Sequence, residues 1–236
     1  MIIFFKYVLI LILFLYCTPK FENSSDILNQ DRLLEAIIFS SELLVSKQKR
    51  DCNNYHLDSN YEFKDNNDGT VIYIQSNNPP ANCEKLKLIW KKCSQGQTYS
   101  NGACIGSPFQ YINCENNDIA KCSLLGKLTS GPSFETCNSM KDRNWRIPNV
   151  KELYSLVYCS SGISQSFSYI FCSNGSVKPT INSTLFPNTY LGSYWTSEIN
   201  GYYSIGVSMR TIEFETGSEN GRYGNSTAYV RCIADD

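Results

Sequence analysis

Cysteine content constrains this chain more than any other feature. The 236 residues include 11 cysteines, no Cys-x-x-Cys pair and a single histidine, His56, a composition that disfavours a tetrahedral zinc site. Setting Cys17 aside leaves ten cysteines, enough for five disulfides, and disulfides persist in oxidising compartments. These ten are Cys52, Cys83, Cys93, Cys104, Cys114, Cys122, Cys137, Cys159, Cys172 and Cys232. The sequence therefore predicts an exported, disulfide-rich protein.

An apolar segment precedes the first cysteine. Residues 2–16 are apolar except for Lys6, and the run ends at Cys17. It is shorter than the roughly 18 to 20 residues that span a bilayer, so it predicts a cleaved export signal. Its Phe-Leu-Tyr-Cys ending resembles the lipobox of bacterial lipoproteins, with Tyr16 in place of the usual small residue. This implies a lipid on Cys17, and signal cleavage without lipidation is the alternative.

The chain carries little net charge. Its formal charge is -1, and loss of Lys6 with the export signal would leave -2. Charged residues make up only 18% of the sequence, whereas Asn, Ser, Tyr and Gly are abundant. A chain with this charge lacks the basic surface that nucleic acids require, so we expect no nucleic-acid partner.

The sequence divides into four segments. They are an export signal over residues 1–17, a helical spacer over 18–50, a Cys-rich first part over 51–130 and a C-terminal part over 131–236. Apolar residues at helical spacing predict one helix over residues 24–47. In the Cys-rich part, short apolar runs between turn signals predict strands over residues 70–74 and 86–90.

The C-terminal part combines helix and strand signals. Ser133 is positioned to cap a short helix that runs through residue 141. Asn149 opens a second helix, in which Glu152 completes a capping box. Strands are predicted over residues 194–197, 203–214 and 227–233, with a loop over 217–224. Two helices followed by antiparallel strands indicate an α+β fold.

Four motifs occur in order in the C-terminal part. They are Trp-Arg-Ile-Pro-Asn at 145–149, Phe-Pro-Asn-Thr at 186–189, Tyr-Trp-Thr-Ser at 194–197 and Tyr-Val-Arg-Cys at 229–232. This set resembles the C-terminal domain of the Legionella collagen-like adhesin. The upstream run Leu-Ile-Trp-Lys-Lys-Cys-Ser-Gln-Gly at 88–96 is similar to envelope lipoproteins of spirochaetes such as Leptospira. The resemblance covers roughly residues 61–234.

The resemblance implies a C-type lectin-like fold in which the motifs form the scaffold. Trp145 and Trp195 are expected to act as apolar anchors, and Pro148 to end the turn before the second helix. Arg146 is suited to hold a carboxylate or carbonyl groups in a fixed fork. Arg231, in the last motif, is assigned the same scaffold role.

Cysteine pairing follows in part from the resemblance. Lectin-like folds commonly join the first helix to the last strand, which implies the pair Cys137–Cys232. Sequence proximity suggests the pairs Cys93–Cys104, Cys114–Cys122, Cys159–Cys172 and Cys52–Cys83. Connectivity cannot be deduced from sequence alone, so these four pairs are hypotheses.

The resemblance also implies a host glycosaminoglycan or matrix protein as partner. The Glu-Pro-Asn, Gln-Pro-Asp and Trp-Asn-Asp triplets of calcium-dependent lectins are absent, so binding without metal is expected. A local basic patch is one candidate surface, with a solvated strand face as the alternative. The patch consists of Lys85, Lys87, Lys91 and Lys92.

A second candidate surface is rich in tyrosine. The predicted loops over residues 182–193, 200–203 and 217–223 combine Tyr with Asn, Ser and Gly, as antibody paratopes do. Ordinary polar loops are the alternative. The candidate contact residues are Tyr190, Tyr202, Tyr203, Arg222 and Tyr223.

No catalytic signature is present. His56 lies outside the motifs, and the sequence contains neither a Gly-x-Ser-x-Gly elbow nor a Gly-rich phosphate loop with Lys. We therefore expect no enzymatic activity, no cofactor and no metal. One enzyme alternative stays open, an oxidoreductase related to the formylglycine-generating enzymes, which would need a pair of reactive thiols.

These observations together predict a cell-envelope protein with a binding or adhesion role. Its expected location is the outer membrane, to which a lipid on Cys17 attaches it, and exposure on the cell surface is compatible with this location. The alternative is an envelope protein whose motifs serve folding alone, with no external ligand.

Overall fold

The computed structural model describes residues 61–75, 87–114, 122–166, 169–203 and 206–235. For Tyr202 and Tyr203 it describes the backbone but not the side chains. Several predicted features lie outside these ranges: the predicted export signal, Cys17, the predicted helix over 24–47, Cys52, His56, Cys83 and Lys85. All described residues belong to one compact unit, Cys52–Asp236. No helix within them is both long and apolar enough to cross a membrane.

The described residues form mostly β-structure with two short helices. The strands are β1 (Tyr61–Asp65), β2 (Thr70–Gln75), β3 (Lys87–Lys91), β4 (Thr98–Ser100), β5 (Ala103–Ile105), β6 (Gln110–Ile112), β7 (Ser123–Leu124), β8 (Lys127–Leu128), β9 (Ile163–Ser166), β10 (Tyr169–Cys172), β11 (Ser193–Tyr203), β12 (Gly206–Glu213), β13 (Ser218–Tyr223), β14 (Thr227–Tyr229) and β15 (Ile233–Asp235). The helices are α1 (Pro132–Asn138) and α2 (Val150–Tyr154).

Two larger sheets organise the fold. A four-stranded antiparallel sheet has the order β1-β2-β3-β15, and the pair Ile233 and Trp90 joins the last strand to β3. A second sheet has the order β13-β12-β11-β14-β6, with β7 and β8 attached to β11. Its β11–β14 pair is parallel, whereas the other pairs are antiparallel. The C-terminal strand therefore completes the sheet that the first strands begin.

Helix α1 begins differently from the prediction. Gly131, not Ser133, is the N-cap residue, and the helix ends at Asn138 instead of residue 141. Pro132 suits the first helical turn because its fixed φ matches the helix. A Cβ at Gly131 would collide with the carbonyl oxygen of Asn113, so glycine is required at its positive φ. The Ser133 hydroxyl is buried and donates to Asn113 Oδ1 instead of capping the helix.

The capping box predicted for α2 is confirmed. The Asn149 side chain accepts a hydrogen bond from Glu152 N at 2.9 Å, and Glu152 Oε2 accepts one from Asn149 N at 2.7 Å. Arg146 donates to both oxygens of Glu152 at 2.8 Å, and its Nη2 also reaches Asp235 at 2.8 Å. The Arg146 guanidinium thus holds a carboxylate in a fork and connects α2 to β15.

The tryptophans form the centre of two apolar clusters. Trp145 and Trp195 are buried in one cluster with Ile147, while Trp90 is buried in the other with Leu153. Burial of aromatic side chains of this size contributes strongly to the stability of a core. Their location agrees with the expected anchoring role.

Four of the five hypothesised disulfides are confirmed. They are Cys93–Cys104, Cys114–Cys122, Cys137–Cys232 and Cys159–Cys172, with Cα–Cα distances from 5.0 to 5.7 Å. Cys137–Cys232 joins α1 to the residue before β15, as the resemblance implied. The proposed partners Cys52 and Cys83 are not among the described residues.

Two segments predicted as loops are strands. Residues 200–203 belong to β11, and most of the segment 217–224 forms β13, an edge strand paired with β12. Every residue of β13 is partly or fully exposed. An exposed edge strand needs no alternation of apolar residues. The Ser, Glu, Asn and Gly residues of β13 therefore led to the wrong prediction of a loop.

Removal of Cys137–Cys232 is expected to destabilise the domain more than removal of Cys159–Cys172. The first disulfide closes a loop of 95 residues and the second a loop of 13, so the loop-entropy model gives losses of about 4–5 and about 3 kcal/mol. Urea unfolding of the Cys137→Ser/Cys232→Ser and Cys159→Ser/Cys172→Ser double variants measures the difference. Equal or reversed losses would contradict the prediction.

Candidate recognition pocket

An open pocket lies where the β4–β5 hairpin meets the segment before β11. Its volume is about 480 Å³, within the range of small-ligand sites. We call it the recognition pocket, and its lining residues are Gln97, Cys104, Ile105, Gly106, Asn188, Thr189 and Tyr190. None of these side chains carries a charge at neutral pH.

Two amide side chains hold the walls of the pocket together. Gln97 Nε2 donates to the carbonyl oxygens of Gly106 and Asn188 at 3.3 and 3.2 Å, and its Oε1 accepts from Ser94 N at 3.1 Å. Asn188 Nδ2 donates to the Cys104 carbonyl oxygen at 2.7 Å. Asn188 has a positive φ of 53°, a conformation that Asn tolerates better than most residues. The pocket is therefore braced before any ligand binds.

The buried side of the pocket rests on Arg231. Thr189 Oγ1 accepts a hydrogen bond from Arg231 Nη2 at 2.7 Å and donates to the Phe186 carbonyl oxygen at 2.8 Å. Phe186 and Thr189 both belong to the Phe-Pro-Asn-Thr motif, and Arg231 belongs to the Tyr-Val-Arg-Cys motif. Two of the motifs that carry the family resemblance thus meet directly beneath the pocket.

Arg231 is fully buried and is not part of any ion pair between described residues. Its Nη1 donates to the carbonyl oxygens of Lys91 and Lys92, and its guanidinium lies 5.0 Å from the Phe186 ring centroid. Burial lowers the pKa of Arg231, because the charged form loses its hydration. Carbonyl oxygens, hydroxyl groups and aromatic faces replace that hydration.

Large apolar side chains surround the pocket. Ile105 is 56% exposed and Tyr190 is 42% exposed, and both line the pocket. Leu191 follows Tyr190, and Phe109 packs against Gly96 next to Gln97; these two side chains are 48% and 61% exposed. Ile105 and Tyr190 thus give the pocket apolar surface beside its amide groups.

The Tyr190 ring has a fixed support. It lies 5.8 Å from the Tyr229 ring, which in turn lies 5.3 Å from the buried Tyr194 ring. Burial raises the pKa of Tyr194, and its hydroxyl lies 2.9 Å from Ser94 Oγ. This line of rings connects the exposed face of Tyr190 to the core, so little side-chain freedom remains to be lost on binding.

The predicted tyrosine surface consists of two separate depressions. Tyr190 lines the recognition pocket, whereas Arg222 and Tyr223 line a second depression of about 550 Å³ with no lining residue in common. The other residues of the second depression are Asn200, Ser208, Gly221 and Ser226. Arg222 Nη1 there donates to the Thr227 carbonyl oxygen at 2.9 Å. The structure therefore does not bring the five predicted contact residues into one site.

The predicted lysine patch is wrong for Lys92. Lys92 is 2% exposed, with its ammonium group 2.5 Å from Asp65 Oδ2 and 3.3 Å from the Tyr99 hydroxyl. Lys91 packs over the Trp145 ring at 4.5 Å. Lys87 is exposed, but Leu88, Ile89 and Trp90 after it are all buried, so β3 has no free face. Lys92 therefore belongs to the interior, and Lys91 lies at its edge.

Sequence reasoning missed Gln97, Ile105 and Asn188 as pocket residues. The available signal was the Phe-Pro-Asn-Thr motif, because Asn after Pro is suited to a turn with positive φ. That signal identifies a turn at Asn188 but not the β4–β5 hairpin that lies beside it. The contact between Asn188 and Cys104 joins residues 84 positions apart, which local patterns do not predict.

The described residues offer neither a metal-binding cluster nor a free thiol. No group of three or more His, Cys, Asp or Glu side chains within them is arranged to hold a metal ion. All eight cysteines in these ranges form disulfides and so present no thiol. The pocket itself offers an aromatic ring, aliphatic surface, amides and hydroxyl groups, a set suited to stacking and hydrogen bonding.

Comparison with known families gives a match that covers every residue lining the recognition pocket. The model of the Lcl C-terminal domain matches residues 84–234. The chain belongs to the Lcl C-terminal domain family. This finding confirms the family resemblance drawn from the four motifs. No curated protein and no solved structure gives a significant match.

Within this Lcl C-terminal domain, Thr189→Val is expected to lower the free energy of unfolding by about 1.5–3 kcal/mol. The change keeps the shape of the side chain but removes a hydrogen bond to the buried Arg231 guanidinium. Urea unfolding measures the loss, and Thr184→Val, at an exposed threonine, serves as the matched control. A loss no larger than that of the control would show that Arg231 does not depend on Thr189.

Asp65→Asn is expected to destabilise the fold by about 2–3 kcal/mol, because it leaves the buried Lys92 ammonium without its carboxylate. Burial raises the pKa of Asp65, but the hydrogen bonds from Lys92 and from Asn67 N together with the positive charge of Lys92 outweigh burial, and the pKa is lowered overall. The contribution is complete above the ordinary pKa of 3.8 and is lost as the pH falls through the lowered pKa.

Unfolding free energies measured from pH 7 to pH 2 check the effect of Asp65→Asn. The difference between wild type and variant should shrink at the acid end. Glu215→Gln, which removes the exposed pair with Lys178, should change stability by less than about 1 kcal/mol. A loss for Asp65→Asn as small as that of this control would contradict the prediction.

Proposed function

We propose that this protein is a surface adhesin of the bacterial cell envelope that binds a host matrix ligand through the recognition pocket. The observation that carries the proposal is the pocket itself, in which exposed Tyr190 and Ile105 flank braced amide groups. Rigid aromatic surface beside adaptable hydrogen-bonding groups is typical of recognition sites for proteins and glycans. The resemblance to the Legionella collagen-like adhesin supports the same role.

The ligand is proposed to contact the pocket through uncharged groups. The lining residues carry no charge, and Lys92 is withdrawn into a buried ion pair. Stacking on Tyr190 and hydrogen bonds to Gln97 and Asn188 need neither a metal ion nor an anionic ligand. These features favour a matrix protein or a neutral portion of a glycan over the sulfated groups of a glycosaminoglycan.

Export and membrane attachment belong to the same proposal. The apolar segment ending at Cys17 supports a signal peptide followed by a lipid-modified cysteine, and four disulfides support an oxidising location. We place the protein in the outer membrane as a spirochaete-type lipoprotein. A C-type lectin-like arrangement is proposed for the domain, since short helices beside twisted antiparallel strands suit such a fold.

No enzymatic activity is proposed. The absence of a free thiol among the described cysteines gives no support to an oxidoreductase of the formylglycine-generating type. The remaining alternative is a structural envelope protein without external ligand. Exposure of Ile105 and Tyr190 beside the braced amide groups of the pocket favours binding, because apolar surface with a few placed hydrogen-bonding groups is the usual composition of a recognition site.

Tyr190→Ala is expected to weaken binding to matrix ligands at least tenfold, as truncation of a central aromatic contact usually does. The full chain is applied to surfaces coated with matrix proteins and glycosaminoglycans, and bound protein is measured across a salt series. Arg222→Ala, in the second depression, is the matched control and should bind like the wild type.

The salt series separates the possible modes of binding. Recognition through uncharged groups should depend weakly on salt, whereas contact with a polyanion would weaken steeply as screening increases. Equal binding by Tyr190→Ala and wild type would exclude the recognition pocket as the ligand-binding site. If folded protein binds no ligand in the set, the structural alternative is favoured and the adhesin proposal fails.

A further inference from the structure

The turn between β7 and β8 contains a leucine in an unfavourable conformation. Leu125 has a φ of 49° and is followed by Gly126 with a φ of 79°. Two consecutive positive φ values are typical of tight hairpin turns, in which Asn-Gly, Asp-Gly or Gly-Gly are strongly preferred. Leucine has no local hydrogen bond to offset the steric cost of this conformation. Its presence here works against local stability.

Both leucines of this turn are exposed. Leu125 is 94% exposed and Leu124 is 66% exposed, and we call the two residues the leucine turn. Neither folding nor solubility accounts for a side chain that is both strained and fully in water. Strained positions that the surrounding structure maintains occur preferentially at functional sites.

The surrounding structure holds the leucine turn in place. Leu128 is 4% exposed in the core, and Cys122 before the hairpin forms a disulfide with Cys114. Ile199 N of β11 donates to the Gly126 carbonyl oxygen at 3.1 Å, so the turn is fixed to the second sheet. The two leucines are therefore presented on a braced hairpin.

We propose that the leucine turn inserts into the lipid surface of the membrane to which the chain is attached. This inference rests on the proposed attachment through Cys17. Two leucines are too few for a stable protein interface, which needs about 1,000 Å² of buried surface. A tethered chain needs much less, because the tether keeps the turn near the bilayer and makes insertion an intramolecular step.

The strength expected of such a contact is sufficient for a tethered chain. Moving one leucine from water into an apolar layer favours the bound state by about tenfold, so two leucines give about a hundredfold. Free protein at micromolar concentration would hardly bind through this contact alone. A lipid-anchored chain would be held in one orientation by it.

The register of the second sheet indicates which side would face the membrane. Gly126 is bonded to Ile199, Ile199 pairs with Met209, and Met209 pairs with Arg222. Arg222 thus ends a line of paired residues that crosses the sheet from the leucine turn. Arg222 and its neighbour Tyr223 are exposed, and Arg and Tyr are suited to the lipid headgroup layer.

The recognition pocket lies near the start of β11, whereas the leucine turn is held past the middle of that strand. Tyr190 precedes Ser193, where β11 begins, whereas the leucine turn is bonded to Ile199. At about 3.3 Å per residue these two points on β11 are about 20 Å apart. Insertion of the leucine turn would therefore leave the recognition pocket away from the bilayer.

The test places a fluorescent probe in the leucine turn. The full chain carrying Leu125→Trp is reconstituted into liposomes of phosphatidylethanolamine and phosphatidylglycerol, with and without bromine on the acyl chains. Trp90, Trp145 and Trp195 are each at most 1% exposed and give a constant background. Ile105→Trp, at the edge of the recognition pocket, is the matched control.

Insertion predicts blue-shifted emission and quenching by brominated lipid for Leu125→Trp, and neither for Ile105→Trp. If the protein floats with the liposomes but Leu125→Trp is no more quenched than the control, the insertion is refuted and the attachment stands. If the protein does not float and Leu125→Trp is not quenched, both the insertion and the attachment through Cys17 are refuted. Quenching of the two probes alike would also refute an oriented contact.

A second variant tests whether Leu125 has a structural role. Leu125→Asn should raise the melting temperature, since Asn tolerates a positive φ, and it should reduce the quenching of a probe at Leu124→Trp. A lower melting temperature would show that Leu125 stabilises the fold. That result would remove the reason for assigning the leucine to a membrane contact.

Discussion

Arg231 donates hydrogen bonds to segments that are far apart in the chain. Its partners include the carbonyl oxygens at the end of β3 and the hydroxyl of Thr189, while Phe186 and Tyr194 supply aromatic faces. A guanidinium without water needs most of its donors satisfied, so each segment must occupy its place for the others to be stable. Both the first sheet and the base of the recognition pocket depend on this one side chain.

Local sequence signals predicted those parts of the fold that local chemistry determines. The capping box at Asn149 and Glu152 depends on residues three apart, and three of the four confirmed disulfides join cysteines at most 13 positions apart. The start of α1 was predicted wrongly because Asn113, distant in sequence, leaves room only for a glycine at position 131. Strand β13 was missed because an exposed edge strand carries no apolar pattern.

The candidate site also combines features that local sequence predicts with features that depend on contacts between distant residues. Tyr190 was recognisable as an aromatic residue in a polar segment, but its pocket also requires Gln97 and Ile105 from a hairpin far away in sequence. Lys92, directly after β3, illustrates the opposite error, since a basic cluster in sequence does not reveal that this lysine is buried against Asp65. Family motifs helped most where they are buried, because Phe186 and Arg231 support the pocket without lining it.

The position of β15 has a consequence for how the domain holds together. Its three residues pair with β3 and follow the cysteine that is joined to Cys137, so residues 232–235 complete both a sheet and a covalent loop. Without this segment β3 would be an open edge of its sheet. An unpaired strand edge is a template for pairing with other chains. One short segment thus protects the domain from edge-to-edge aggregation, and the disulfide beside it keeps that segment in place.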